Sequence, residues 1–91
     1  MRTVPVMEYV HSIRYHRRSQ NGRLTLAYTE IVTDHGWYIR KEDDWKSRYT
    51  TACATEYLTR VAAEAGTFAV SVWRGETRVC TVGLDWNPSK R

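Results

Sequence analysis

The dipeptide Asn21-Gly22 sits between two runs rich in β-branched and aromatic residues, and no other feature restricts the fold as strongly. A two-residue type I′ hairpin turn needs positive φ at both central residues, which Asn and Gly tolerate and most residues do not. The run before it, Val6 to Arg18, holds Tyr9, Val10, Ile13 and Tyr15, and the run after it, Arg23 to Val32, alternates apolar with polar. A two-residue loop predicts Gln20 opposite Arg23 and Ser19 opposite Leu24. That register gathers Ile13, Tyr15, Leu24, Leu26, Tyr28 and Val32 on one face, which reads as core. Ser12, Arg14, His16, Arg18, Arg23, Thr25 and Thr29 fall on the other, a wet and basic face.

Asp34-His35-Gly36 reads as a second turn and Trp37 to Arg40 as a short third strand. Glu42-Asp43-Asp44 complements the positive end of a helix dipole, with Asp43 as N-cap, so a helix is predicted from Asp44 to Ala65 with Gly66 as its C′ residue. On a helical wheel, Ser47, Thr50, Ala54, Tyr57, Leu58, Val61 and Ala65 share one face and read as inward. Trp45, Arg48, Tyr49, Ala52, Glu56 and Arg60 fall on the opposite face. Beyond the helix, Thr67 to Trp73 and Thr77 to Trp86 flank Gly75-Glu76, a loop suited to a type II′ turn. Pairing Arg74 with Thr77 and Val72 with Val79 makes Phe68, Val70, Val72 and Val79 a core face. Ser71, Trp73, Cys80, Val82 and Leu84 then form the other. The predicted order is β-β-β-α-β-β, an α+β domain with an antiparallel sheet of four or five strands and one long helix on one face. Residues 1–91 read as one domain with loose ends at 1–3 and 87–91.

Composition narrows the class. At 91 residues, 42% hydrophobic and 26% charged, the chain is neither disordered nor large enough for two cores. It has no apolar run long enough to span a membrane and no basic-then-apolar start of a secretory signal, so a cytoplasmic protein is expected. Two cysteines, with no Cys-x-x-Cys, exclude a disulfide scaffold and the usual structural zinc site. Cys53 and Cys80 read as reduced thiols facing different layers.

An enzyme is not expected. The chain has no GxSxG, P-loop, GxGxxG or HExxH motif. His11 and His16 lie an odd number of residues apart on one strand, so they point to opposite faces and cannot share a metal ion. His35 sits in a turn, and the histidines read as surface or half-buried residues. Glu42, Asp43 and Asp44 are consecutive and cannot all reach one ion. No cofactor and no metal site is expected. A small hydrolase or nuclease would have to rest on His11, His16 or this acidic cluster.

Two surfaces point to binding instead. Arg14, His16, Arg17, Arg18 and Arg23 make the opening hairpin a basic ribbon able to follow a phosphate backbone, and the net charge of +4 agrees with an acidic partner. Trp45, Arg48, Tyr49 and Arg60 place aromatic and guanidinium groups on the outer helix face, the residue types enriched at protein interfaces and at base-stacking surfaces. The expected function is therefore a non-enzymatic module that binds nucleic acid or a nucleic-acid-handling protein complex. Open sheet edges also allow a homodimer.

The chain carries no RNP motif, GXXG loop or zinc knuckle, and its order differs from that of the double-stranded-RNA-binding domain, which opens with a helix. Three strands followed by a helix is similar to the opening of the arm-binding domain of tyrosine recombinases, from which the C-terminal hairpin departs. Small motif-free domains are also frequent among phage and mobile-element proteins that inhibit host machines, anti-CRISPR proteins included. The alternative expectation is thus an inhibitor acting by protein–protein binding.

Overall fold

The structure, a computed structural model, describes residues 9–34 and 45–90. Its elements are β1 (Tyr9–Arg18), β2 (Leu24–Asp34), α1 (Trp45–Arg60), β3 (Gly66–Arg74) and β4 (Thr77–Trp86), followed by a 3-10 turn at Pro88–Lys90. The order among these residues is β-β-α-β-β, a small α+β arrangement with a four-stranded antiparallel sheet and one helix. The predicted turn at His35-Gly36, the third strand at Trp37 to Arg40 and the helix start at Asp43-Asp44 lie outside the described residues. Among the described residues the sheet order is β2-β1-β3-β4, with β1 internal and β2 and β4 at the edges.

The opening hairpin departs from the predicted turn, and a second irregularity compensates. Ser19 N donates to Arg23 O at 2.8 Å and Gly22 N to Ser19 O at 2.9 Å, so the loop holds three residues, Gln20, Asn21 and Gly22. Only Gly22 has positive φ, at 85°, the geometry of a tight turn followed by a glycine bulge rather than a type I′ turn. Asn21 contributes through its side chain, whose Oδ1 accepts from Arg23 N at 3.0 Å and from the Ser19 hydroxyl. The longer loop slips the register by one residue, and a bulge at Ala27 slips it back, giving Tyr15 opposite Tyr28 and Ile13 opposite Glu30. Ile13 and Tyr15 are therefore buried as predicted, while Leu24 and Leu26, between the two irregularities, move to the other face and are 44% and 53% exposed.

A bulge at Val79 acts similarly in the second hairpin. Arg74 pairs with Thr77 across Gly75, whose φ is 62°, as a type II′ turn requires. Past the bulge Val72 faces Cys80, not Val79, and Val70 faces Val82. Cys80, Val82 and Leu84, predicted on the outer face, thus share the side of Phe68, Val70 and Val72, and Val82 and Leu84 pack against the core. Among the described residues Cys53 and Cys80 form no disulfide.

The helix turns the predicted Thr50, Ala54, Tyr57 and Leu58 inward, but its inward face is rotated toward Tyr49. Tyr49, Thr50, Ala54 and Leu58 are buried, with Trp45, Cys53 and Tyr57 half-buried, whereas Ser47, Val61 and Ala65 are exposed. The two buried ridges, Trp45-Tyr49-Cys53-Tyr57 and Thr50-Ala54-Leu58, each repeat at the four-residue spacing of neighbours on a helix. Tyrosine rings bury more apolar area than serine or alanine, so the aromatic ridge turns inward. Tyr57 stacks on Tyr15 at 4.9 Å between centroids, and Tyr28 meets both rings edge-on.

The helix ends at Arg60, short of the predicted Ala65. Ala62 takes φ 53°, Ala62 N bonds Thr59 O at 3.1 Å, and Ala63 N bonds Leu58 O at 3.0 Å. These are the paired bonds of a Schellman cap with alanine in the left-handed position. Ala63 is buried beside Leu58, and its carbonyl accepts from Trp86 Nε1 at 3.0 Å, which anchors the helix end to β4. Gly66 serves another purpose: a Cβ there would collide with the guanidinium of Arg17.

Candidate interaction surface on the open sheet face

Alternation along β1 divides its side chains between two environments. His11, Ile13 and Tyr15 turn toward α1 and are fully buried. Arg74, which can only donate, lies 3.3 Å from His11 Nε2, so Nε2 accepts and Nδ1 donates to Tyr49 Oη at 2.8 Å. The histidine is thus a buried polar link between strand and helix, not the surface or half-buried residue expected. Tyr49, predicted as an outward anchor, is 3% exposed and belongs to the core.

Ser12, Arg14, His16 and Arg18 turn away from α1, onto the open face. Three ladder rows cross that face. One runs Leu26, His16, Ala69, Gly83; the next Thr29, Arg14, Ser71, Thr81; the third Ile31, Ser12, Trp73, Arg78. Arg14 holds its guanidinium 4.6 Å from the Trp73 ring centroid, while Trp73 Nε1 donates to Ser71 Oγ at 3.0 Å. Arg78 stands opposite Trp73 in the ladder, but the guanidinium over the ring is that of Arg14. His16, Leu24, Ala69, Ser71, Trp73, Arg78 and Thr81 line a shallow recess, and Gly83, the ladder neighbour of Ala69, adjoins it.

The charges on the two sides differ. Arg14, His16, Arg18 and Arg78 occupy the open face, and Arg23 is exposed in the adjoining turn. Among residues whose side chains are described, the only carboxylate on that face is Asp85, at its end, where it accepts from Thr67 Oγ1 at 3.0 Å. Glu56 lies on the helix, Glu64 in the loop after it, Glu76 in the β3–β4 loop, and Glu30 on the helix side of β2.

Arg17 does not belong to the basic face. It lies on the helix side, its guanidinium 4.5 Å from the Phe68 ring centroid, donating to Ala65 O at 3.0 Å and Glu64 O at 3.4 Å. The predicted helix surface also disperses. Trp45 is half-buried, 6.5 Å from the Tyr49 ring, and Arg48 is exposed. Arg60 bonds Glu30 Oε2 at 2.7 Å, and Tyr15 Oη donates to Glu30 Oε1 at 3.0 Å. Burial raises the Glu30 carboxyl above its ordinary 4.5, against the opposing pull of Tyr15 and Arg60. Burial and the adjacent Glu30 push the Tyr15 phenol well above its ordinary range. Of the predicted basic residues, the structure brings Arg14, His16 and Arg18 onto one face, together with Arg78 and Trp73, which were not predicted there as a site. The signal for Trp73 was its odd spacing from Val70 and Val72, which already placed it off the core face.

Among the described residues no three His, Cys, Asp or Glu side chains gather to hold a metal ion, and no helix is long and apolar enough to cross a membrane. No family model, curated protein or solved structure matches the chain.

Proposed function

We propose that the chain is a non-enzymatic module that lays the open face of its sheet on nucleic acid, alone or within a nucleoprotein complex. The one-sided distribution of charge carries this reading: Arg14, His16, Arg18 and Arg78 share a face on which Asp85 is the lone described carboxylate. Each arginine that neutralises a phosphate releases counterions, so affinity should fall steeply with salt. The test is fluorescence anisotropy with labelled single-stranded DNA, duplex DNA and RNA at low and near-physiological salt. Micromolar or tighter binding that weakens with salt is expected, and absence of binding at low salt refutes the reading.

A second reading, an inhibitor or adaptor that acts by protein–protein binding, draws on the exposed apolar residues of the same face. Val10, Leu26 and Ile31 are 59%, 53% and 67% exposed and flank the arginines. Exposed apolar side chains beside arginine are characteristic of protein interfaces. That reading expects little salt dependence and loss of binding on Ile31→Asp.

A further inference from the structure

The open face pairs its charge with a recess of defined chemistry. The Trp73 indole forms one wall, Ala69 and Leu24 supply apolar lining, and His16, Ser71, Thr81 and Arg78 place polar groups around it. Arg14 lies over the indole, so aromatic and guanidinium surfaces adjoin at the rim. Flat apolar surface beside planar cations suits a flat aromatic ring that carries polar edges and is attached to an anion.

We propose that this recess takes an unpaired nucleobase, which makes the preferred partner single-stranded nucleic acid rather than a duplex. The proposal rests on the nucleic-acid reading above and narrows it. In a duplex the base faces are stacked inside the helix and only phosphates and groove edges reach a protein surface. In a single strand each base has a free face, and stacking on an aromatic side chain or an arginine plane adds to phosphate contacts without demanding a particular sequence. Arg18, on the ladder row beyond His16, and Arg78, in the row of Trp73, lie on either side of the recess and are placed to neutralise the flanking phosphates.

The closing experiment is anisotropy of the intact chain with fluorescein-labelled oligo-dT and with a duplex of matched length, at about 50 and 200 mM salt. The wild type is compared with Gly83→Val and Trp73→Ala. Gly83 is the ladder neighbour of Ala69, which lines the recess, and nothing lies within 4 Å of a Cβ built there, so valine adds bulk beside the recess without altering charge. It also suits a strand, so the variant should fold, with thermal unfolding as control. The expected result is tighter binding to oligo-dT than to duplex, reduced about ten-fold by either substitution, with duplex binding unchanged for Gly83→Val. Equal affinity for both nucleic acids, or a single-strand preference that survives Gly83→Val, overturns the recess and leaves the nucleic-acid reading standing. Failure to bind either probe at low salt overturns both.

Discussion

Arg17 holds its guanidinium over the ring of Phe68, 4.5 Å from the centroid, and reaches on to the Ala65 carbonyl. One side chain thereby fastens β1 to the loop that follows α1, and it turns away from Arg18, its neighbour in sequence. The two arginines should respond oppositely to truncation. Arg17→Ala loses a cation–π contact and a charge-assisted bond, about 1–2 kcal/mol of stability in a partly exposed setting, with nucleic-acid affinity little changed. Arg18→Ala should change stability by less than about 0.5 kcal/mol and weaken binding. Urea unfolding and anisotropy on both variants decide the assignment, and equal effects of the two on binding contradict it.

The left-handed Ala62 at the helix end carries a cost that glycine avoids. A non-glycine residue with φ of 53° pays roughly 1 kcal/mol relative to glycine in that conformation, partly offset by the greater entropy glycine has when unfolded. Ala62→Gly should therefore raise stability by about 0.5–1 kcal/mol, or a few degrees in thermal midpoint. A lower midpoint would mean that the cap geometry is wrong.

Glu30 predicts a pH dependence of defined sign. Its carboxyl is raised above 4.5 in the fold, chiefly by burial, so the native state binds the proton more tightly than the unfolded chain. Its contribution to stability is then fully present below the unfolded value and is lost as pH rises through the folded one. Subtracting the stability of Glu30→Gln from that of the wild type removes the other carboxylates. The difference should fall as pH rises from 4.5 through the raised value and stay level above it. Urea unfolding across that range measures it, and a difference that rises with pH refutes the burial argument.

Tyr49 separates core from interface. Its ring is 3% exposed and its hydroxyl meets buried His11, so Tyr49→Ala should cost about 3–5 kcal/mol. Tyr49→Phe keeps the ring and should cost about 1–3 kcal/mol, the consequence of taking a buried hydrogen-bond partner from His11. An alanine variant as stable as the wild type would return Tyr49 to the surface.

The strand, hairpin and helix signals in the sequence were legible because each rests on local pattern. Tyr28 and Val32 came out on the predicted side because the extra loop residue and the bulge at Ala27 cancel in register. Leu24 and Leu26 did not, since an extra residue inside a strand leaves no mark on alternation until its partner strand is known. The same holds for Val79 and for Val82 and Leu84 beyond it. On the helix, Thr50, Ala54, Tyr57 and Leu58 were legible as inward, whereas Tyr49 was not, because the wheel alone could not decide which flank of that stripe the sheet would cover. Arg17 was invisible as a structural residue because its partners are backbone carbonyls 47 and 48 residues away.

Arg14 and Arg78 provide the most direct measure of the open face itself. They lie on neighbouring ladder rows, one stacked on Trp73 and the other paired with it across β3 and β4. If each neutralises one phosphate of a bound single strand, each contributes about 0.7 to the slope of log affinity against log salt. Arg14→Ala with Arg78→Ala should therefore flatten that slope by about 1.4, together with a loss of affinity that is largest at low salt. Arg60→Ala removes one positive charge from the helix side, as each open-face substitution does singly, and because Arg60 is held by Glu30 it should leave the slope unchanged. A slope that responds equally to Arg60→Ala and to either open-face substitution would mean that net charge, not this face, governs binding.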